Sequence, residues 1–502
     1  MKYQSSFSLS VCRAISISLG QRLVALALVL APLSAAFMAL GADSIKPIAL
    51  HPDNPHYFHF RGKPTVLITS AEHYGAVLNL DFDFRKYLDT LAKDGLNNTR
   101  TFSGAYVEPL GAFRIARNTL APDQNRFISP WARSNVPGYP NGGNKFDLTQ
   151  WDEVYFKRLK DFVAHAGRCG VVVEFVFFCP FYEESQWKLS PQNVANNVNG
   201  LGDVSRTNVY TLDHNGGLLA VHEALVRKVV AELKDFDNLM YEICNEPYFG
   251  GVTMAWQHRI AEVIVEAEKG LPNKHLITQN IANGKAKIEN PQPAVSVFNF
   301  HYAHPPDAVG INYHLNKVIG DNETGFRGTN DLAYRVEAWD FILAGGALFN
   351  NLDYSFVAGH EDGTFVYPAT QPGGGNPGFR RQMKTLKDFI HSFDFLRLKP
   401  ADSALEIVTL DARTSARMLA EPGKAYAIYL GPKKPQEAVK EKPQARHATL
   451  ALVLPAGTYR SEWTNPLTGK TDLAEDHRHS GGRLVLNSPS YRDDVALKVT
   501  KR

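Results

Sequence analysis

Cysteine is scarce: the 502 residues contain four, with Cys12 near the N-terminus and Cys169, Cys179 and Cys244 further along. Three cysteines beyond the leader cannot build a disulfide framework, and they lack metal-ligand spacing. Cys179 and Cys244 fall near the ends of neighbouring predicted strands, so one bridge between them and two buried thiols both stay open. Charge of one sign is also missing, with 54 Lys and Arg against 51 Asp and Glu. No basic stripe or block offers a surface to nucleic acid. No glycine-rich loop follows a strand as a phosphate cradle does, and no His/Asp group has ligand spacing. The expectation is therefore no cofactor, no metal and no nucleic-acid partner.

Long apolar runs are confined to the N-terminus. Arg13 and Arg22 precede the run at 23–30, and Pro32, Ala35, Ala36, Gly41 and Ala42 follow it. This is the pattern of an export signal over residues 1–42. Residues 23–42 also reach the length of a bilayer span, so an uncleaved anchor is the alternative; Pro32 and the small-residue end favour cleavage. The remainder lacks a second such segment. A secreted or periplasmic protein with no stable membrane association is expected, its oligomeric state unread.

What the chain does contain is alternation. Short apolar runs at 66–70, 98–102, 171–178, 239–243, 276–280, 295–300, 317–320 and 347–352 read as strands. Helical spacing of three and four appears at 82–93, 151–168, 218–234, 256–269 and 332–344. Eight strands alternating with helices predict an α/β chain, a (β/α)8 TIM barrel over residues 43–398 with its site at the strands' C-terminal ends. After Pro400 the pattern changes to short alternating segments with Gly, Pro and Asn turns. This predicts a small all-β sandwich domain over 399–502. Two long connections, 103–149 and 354–379, lie on the site side, and loops of that length are usually functional or disordered.

The run Leu239-Met240-Tyr241-Glu242-Ile243-Cys244 stops at Asn245-Glu246-Pro247, where proline cannot extend a ladder. Glu246 is thereby predicted at the tip of strand four, and burying a charge there is costly unless it is paired, solvated or used. A second cluster, Asp321-Asn322-Glu323, ends strand seven. Strands four and seven lie on opposite sides of a barrel mouth. Two carboxylates facing one another there are what glycoside hydrolysis needs, one as proton donor and one as nucleophile or base. Several of the aromatics fall in predicted loops, where flat rings can stack on sugars.

On these residues, with Arg100 ending strand two and His301-Tyr302 ending strand six, the stretch from about 50 to 398 resembles the retaining glycoside hydrolases of clan A. It is most similar to family 5 cellulase-type enzymes and to apiosidase-like barrels. The resemblance implies Glu246 as acid/base, Glu323 as nucleophile and Asn245 as partner of the sugar 2-hydroxyl. It also implies that Arg100 pairs with Glu323, that Tyr302 hydrogen-bonds it and that His301 lines the cleaved sugar's subsite. A structural ion pair for Arg100 and a hydrogen-bonded core histidine for His301 are the alternatives. The tryptophan common at the end of strand eight is replaced by Phe349-Asn350-Asn351-Leu352-Asp353-Tyr354. Tyr354, or a loop ring such as Trp131 or Trp187, is expected to stand in for it. Glu72-His73-Tyr74 after strand one is polar and well placed, making His73 a further substrate-binding candidate. The segment 457–466 resembles the small β-domain that follows apiosidase-like barrels, and packing against the barrel is its expected role. A carbohydrate is the expected partner. A non-catalytic carbohydrate-binding or adhesion protein on the same barrel is the rival reading.

Overall fold

A computed structural model describes residues 46–438 and 444–502. The expected export segment, 1–42, lies outside the described residues. Among those described, no helix is long and apolar enough to cross a membrane. Residues 46–502 form one compact unit.

Eight strands make one parallel sheet: β1 (Leu67–Ala71), β2 (Asn98–Phe102), β3 (Val172–Phe178), β4 (Leu239–Cys244), β5 (Leu276–Asn283), β6 (Val295–His301), β7 (Val318–Thr324) and β8 (Leu348–Leu352). The spatial order is β1-β8-β7-β6-β5-β4-β3-β2, so sequence neighbours are sheet neighbours. Where β1 meets β2, the Asn97 side chain accepts from Ile68 N at 2.9 Å and donates to Val66 O at 2.9 Å. Phe102 N also donates to Tyr74 O at 3.0 Å. An amide side chain thus takes over hydrogen bonds that a ladder would supply, and the sheet closes.

Besides two four-residue helices, Glu184–Trp187 and Pro435–Ala438, the helices are α1 (Phe84–Lys93), α2 (Glu153–Arg168), α3 (Leu218–Leu233), α4 (Met254–Glu268), α5 (Asp307–Asn312), α6 (Asp331–Leu343) and α7 (Pro377–His391). Caps locate several starts. Asp83 accepts from the amides of Arg85 and Lys86, and Asp152 from those of Val154 and Tyr155. α2 buries Tyr155, Phe156, Leu159, Phe162, Val163 and Ala166, one face of a 3.6-residue period. The β5–β6 connection carries no helix among the described residues, and α5 is short. The alternation is thinnest there. The long connection after β2 contains a hairpin of its own, Trp131–Pro137 against Asn144–Trp151.

The C-terminal strands form a six-stranded and a three-stranded antiparallel sheet. Met418, Ile428, Leu450, Leu452, Tyr459, Trp463 and Leu497 fill the space between them. Tyr459 and Trp463, from the segment likened to a trailing β-domain, are therefore core residues. Helix α6 is buried nearly all round. A helix buried on every face needs cover on both sides and partners for its Arg335, Glu337 and Asp340; here the barrel lies on one side and the β-sheets on the other. Trp339 of α6 stacks on Tyr429 at 5.3 Å. Arg335 donates from Nε and Nη2 to both carboxylate oxygens of Asp494, at 2.8 and 3.0 Å, and Tyr429 OH donates to the same carboxylate at 2.9 Å.

Removing one partner of a buried, fully hydrogen-bonded ion pair strands the other charge. Arg335→Ala is expected to lose about 3–5 kcal/mol of unfolding free energy, read by denaturant titration. A loss below about 1 kcal/mol, the range of exposed pairs, would show that this contact does not hold the two layers together.

Candidate active site

Glu246 and Glu323 meet at the C-terminal mouth of the barrel. One carboxylate oxygen of each and a ring nitrogen of His301 lie within 4.8 Å of one another. Glu246 follows the last residue of β4 by two positions, where its amide donates to Asn280 Oδ1 at 3.0 Å. Glu323 belongs to β7, which the sequence pattern ended at 320 but which runs on to Thr324. The cause is a register irregularity against β6: Phe300 pairs with Asp321, but His301 pairs with Glu323. Skipping Asn322 re-aims the strand end and brings Glu323 beside His301. Asp321 points elsewhere, its Oδ2 accepting from Ala303 N at 3.2 Å.

Glu323 is held on both oxygens. Tyr74 OH donates to Oε2 at 2.9 Å, Arg100 Nη1 to Oε2 at 3.2 Å, and Tyr302 OH to Oε1 at 3.0 Å. Arg100 is fully buried, its guanidinium 4.5 Å from the Tyr74 ring centroid. Its other nitrogens bind both oxygens of Glu242 and donate to Asn245 Oδ1 at 2.7 Å. Burial pushes Glu242 up to about 7, against the pull of Arg100. This guanidinium lies behind Glu323, out of reach of a ligand, so its role is to position and compensate.

Glu246 has a different set of partners. Tyr182 OH donates to Oε2 at 2.7 Å, Tyr248 OH to Oε1 at 3.3 Å, and His301 Nδ1 lies 3.0 Å from Oε1. Burial raises the proton affinity of Glu246, but the hydrogen bond and charge of His301, with the two tyrosines, bring it below its ordinary value of 4.5. Burial lowers that of His301, yet the charges of Glu323 and Glu246 lift it above 6.5. Each glutamate has three hydrogen-bonding partners, a fixed guanidinium among those of Glu323 alone, and this suits a hydrogen-bonded carboxyl pair better than a divalent cation.

Three non-glycine residues at strand tips adopt positive φ: Tyr74 (61°), Glu246 (35°) and Tyr302 (54°). Such backbone costs on the order of 1–3 kcal/mol each and persists where the surroundings enforce it. All three side chains converge on the glutamate pair.

Above the pair is a cavity of about 500 Å³, walled mainly by rings from the loops after β2, β3, β4 and β7. Asn245, His73, Tyr302 and both glutamates line it. Arg100 and His301 lie beneath it, both fully buried. Tyr354 is buried behind His73, with the two rings stacked at 5.7 Å. Trp131 is not brought to the site. It starts the loop hairpin paired with Trp151, and its ring has no exposed surface. Trp187 is also buried, its Nε1 donating to Val204 O at 3.1 Å. The expectation that either tryptophan supplies a stacking platform is corrected: the hairpin and its neighbours need these rings as their own core. Cys179 and Cys244 are free thiols. Cys179 lines the cavity and accepts from Asn245 Nδ2 at 3.5 Å. The site residues missed by sequence reading are Tyr182, Tyr248, Glu242 and Asn280. Glu242, a carboxylate inside an otherwise apolar strand run, was the one visible signal.

No family model matches the chain, and no curated protein matches it. Solved structures do. A candidate glycoside hydrolase from Bacteroides vulgatus aligns with a TM-score of 0.62 at 14% identity, covering 92% of this chain and 83% of that one. A structure named glycoside hydrolase aligns at 0.60 and 14%, covering 91% and 97%. A glycoside hydrolase family 5 protein from Bacteroides vulgatus aligns at 0.61 and 13%, covering 91% and 94%. At this identity the likeness establishes a shared fold, and its coverage extends past the barrel into the β-sheets.

The His301–Glu246 pair has a pH signature in stability. His301, with its proton affinity raised, contributes fully below pH 6.5 and loses that contribution as pH rises through its folded value. Glu246, with its affinity lowered, contributes above pH 4.5 and loses it as pH falls through its folded value. Thermal unfolding of wild type and His301→Gln should therefore differ most between about pH 4.5 and 6.5 and converge on either side. A difference that stays flat across pH would show that the pair carries no proton-linked stability.

Proposed function

We propose that this protein is a retaining O-glycosidase acting on a polysaccharide or its oligosaccharides, with Glu246 as acid/base and Glu323 as nucleophile. The observation that carries the reading is the facing carboxylate pair, with one oxygen from each within 4.8 Å. Retaining enzymes hold their carboxyl groups about 5–5.5 Å apart, and inverting ones leave about 6.5–9.5 Å for a water. The shared fold with glycoside hydrolase structures supports it.

In the first step Glu323 attacks the anomeric carbon while Glu246 gives its proton to the glycosidic oxygen. The carbon–oxygen bond breaks, the aglycone leaves as an alcohol, and a glycosyl ester forms on Glu323. The proton held by His301 reaches Glu246 along their 3.0 Å contact. In the second step Glu246 takes a proton from water, which attacks the same carbon and frees Glu323. Arg100 and the hydroxyls of Tyr74 and Tyr302 bind the nucleophile and receive it back as a leaving group. Asn245 reaches the cavity from beside Glu246, where it serves the sugar 2-hydroxyl, and His73 faces the sugar ring from the other wall. The chemistry belongs to the barrel, residues 43–398; the β-sheets of 399–502 brace α6. The chain is exported on its N-terminal segment and works outside the cytoplasm.

Hydrolysis of a panel of aryl glycosides and polysaccharides tests the assignment. Glu246→Ala and Glu323→Ala should each lose at least about 10³-fold in kcat on natural glycosides. Azide should rescue Glu323→Ala and yield a glycosyl azide of inverted configuration. Wild type that binds sugars but cleaves nothing in the panel would replace this reading with a carbohydrate-binding protein. Activity surviving Glu323→Ala would move the nucleophile elsewhere.

A further inference from the structure

The cavity lining carries two polar groups that the displacement chemistry does not use. His73 is 7% exposed and lines the cavity, yet neither ring nitrogen has a hydrogen-bond partner. Its ring is clamped between Tyr74 at 5.4 Å and Tyr354 at 5.7 Å. Glu108, 4% exposed, lines the same wall with Oε1 3.8 Å from His73 Nε2. Tyr106 OH donates to Glu108 Oε1 at 3.0 Å and Asn118 Nδ2 to Oε2, which leaves acceptor capacity on both oxygens. Buried polar groups are ordinarily satisfied, and an imidazole with two open nitrogens beside a carboxylate with open lone pairs is half of a hydrogen-bond network. Sugar hydroxyls, each a donor and an acceptor, are the chemistry that completes it.

The position of this wall decides which sugar it sees. Tyr74, stacked on His73, donates to Glu323. A nucleophile lies under the sugar whose anomeric carbon it attacks, while the departing alcohol lies toward the proton donor. His73 and Glu108 therefore face the glycone. On the cavity's outer side, Phe113 from the connection after β2 contacts Tyr182 at 5.6 Å and Phe326 at 6.2 Å. Those two rings come from the loops after β3 and β7, on opposing sides of the mouth, so Phe113 arches across it. The arch is strained and anchored: Phe113, Arg114 and Arg117 all have positive φ. Ala116 N donates to Gln371 Oε1 at 3.0 Å and Arg117 Nη2 to Ala358 O at 2.7 Å, tying it to the loop after β8.

We propose that this cavity is a pocket for one terminal sugar. Glu108 and His73 bind that sugar's hydroxyls as specificity-determining residues. The Phe113 arch stops the chain from continuing past it, so cleavage removes single sugars from a chain end. The proposal rests on the glycosidase reading above and adds to it the mode of action.

The test uses 4-nitrophenyl β-D-glucoside, mannoside, galactoside and xyloside, followed by the end-reduced hexasaccharide of the sugar cleaved best. Wild type should release monosaccharide alone at low conversion. Glu108→Gln, which keeps the side chain's size, should lower kcat/KM on the aryl monosaccharide about 10- to 100-fold, the loss of a hydrogen bond to a charged group, with an unchanged unfolding temperature. Phe113→Ala removes a ring that is 37% exposed, should keep the wild-type unfolding temperature, and should add di- and trisaccharide to the early products. Internal-cleavage products from wild type overturn the pocket. So does a Glu108→Gln that folds and stays within about twofold of wild type. Wild type that neither cleaves nor binds any of these sugars overturns the glycosidase reading itself, an outcome distinct from cleavage with the wrong product profile.

Discussion

The site is organised around one buried guanidinium. Arg100 holds Glu242 through Nε and Nη2, donates from the same Nη2 to Asn245 and reaches Glu323 with Nη1. A cation with no exposed surface is tolerated only when its desolvation is offset by charges and acceptors at hydrogen-bond distance. Here those acceptors come from β4 and β7, so packing the arginine and placing the two sides of the mouth are one event. Glu242 is tied in turn to Asn322, and Asn322 to Glu174. The barrel floor is thus a polar network beneath the site in place of a layer of aliphatic residues.

The environments of the two glutamates diverge. Glu323 is bound by a guanidinium and two tyrosine hydroxyls. Glu246 lies 3.0 Å from His301 Nδ1, and the charges of both carboxylates raise the proton affinity of that imidazole. Two acids of one type are distinguished by what surrounds them. The three strained strand tips accompany this difference: Tyr74, Glu246 and Tyr302 meet at the pair from left-handed backbone.

The β-sheets at the C-terminus take part in the same economy of burial. Helix α6 follows β7, and its buried Glu337 binds Arg327, whose other nitrogen holds the Tyr302 carbonyl at 2.9 Å. Cover over α6 from Tyr429 and Asp494 keeps that helix dry on its outer face. A surface far from the mouth therefore contributes to the rigidity of β6 and β7 at their tips.

The alternation of strands and helices, the break at Pro247, the carboxylates at two strand ends and the change of pattern after Pro400 were legible in the sequence, because each depends on local periodicity or on one residue's backbone limits. The pairing of Arg100 and Tyr302 with Glu323 was reached by resemblance. Tyr182, Tyr248 and Glu108 were not reached at all: a tyrosine or glutamate in a long connection carries no local mark of where its side chain will point. Trp131 was misassigned for the same reason, since a loop can build a core of its own. The extension of β7 to Thr324 was decided by the register against β6, a pairing between segments that no local pattern encodes. The residue types and their order along the chain determined which chemistry was on offer. Only the tertiary structure decided which groups meet, because the burial that shifts their proton affinities and the contacts that orient them come from strands far apart in sequence.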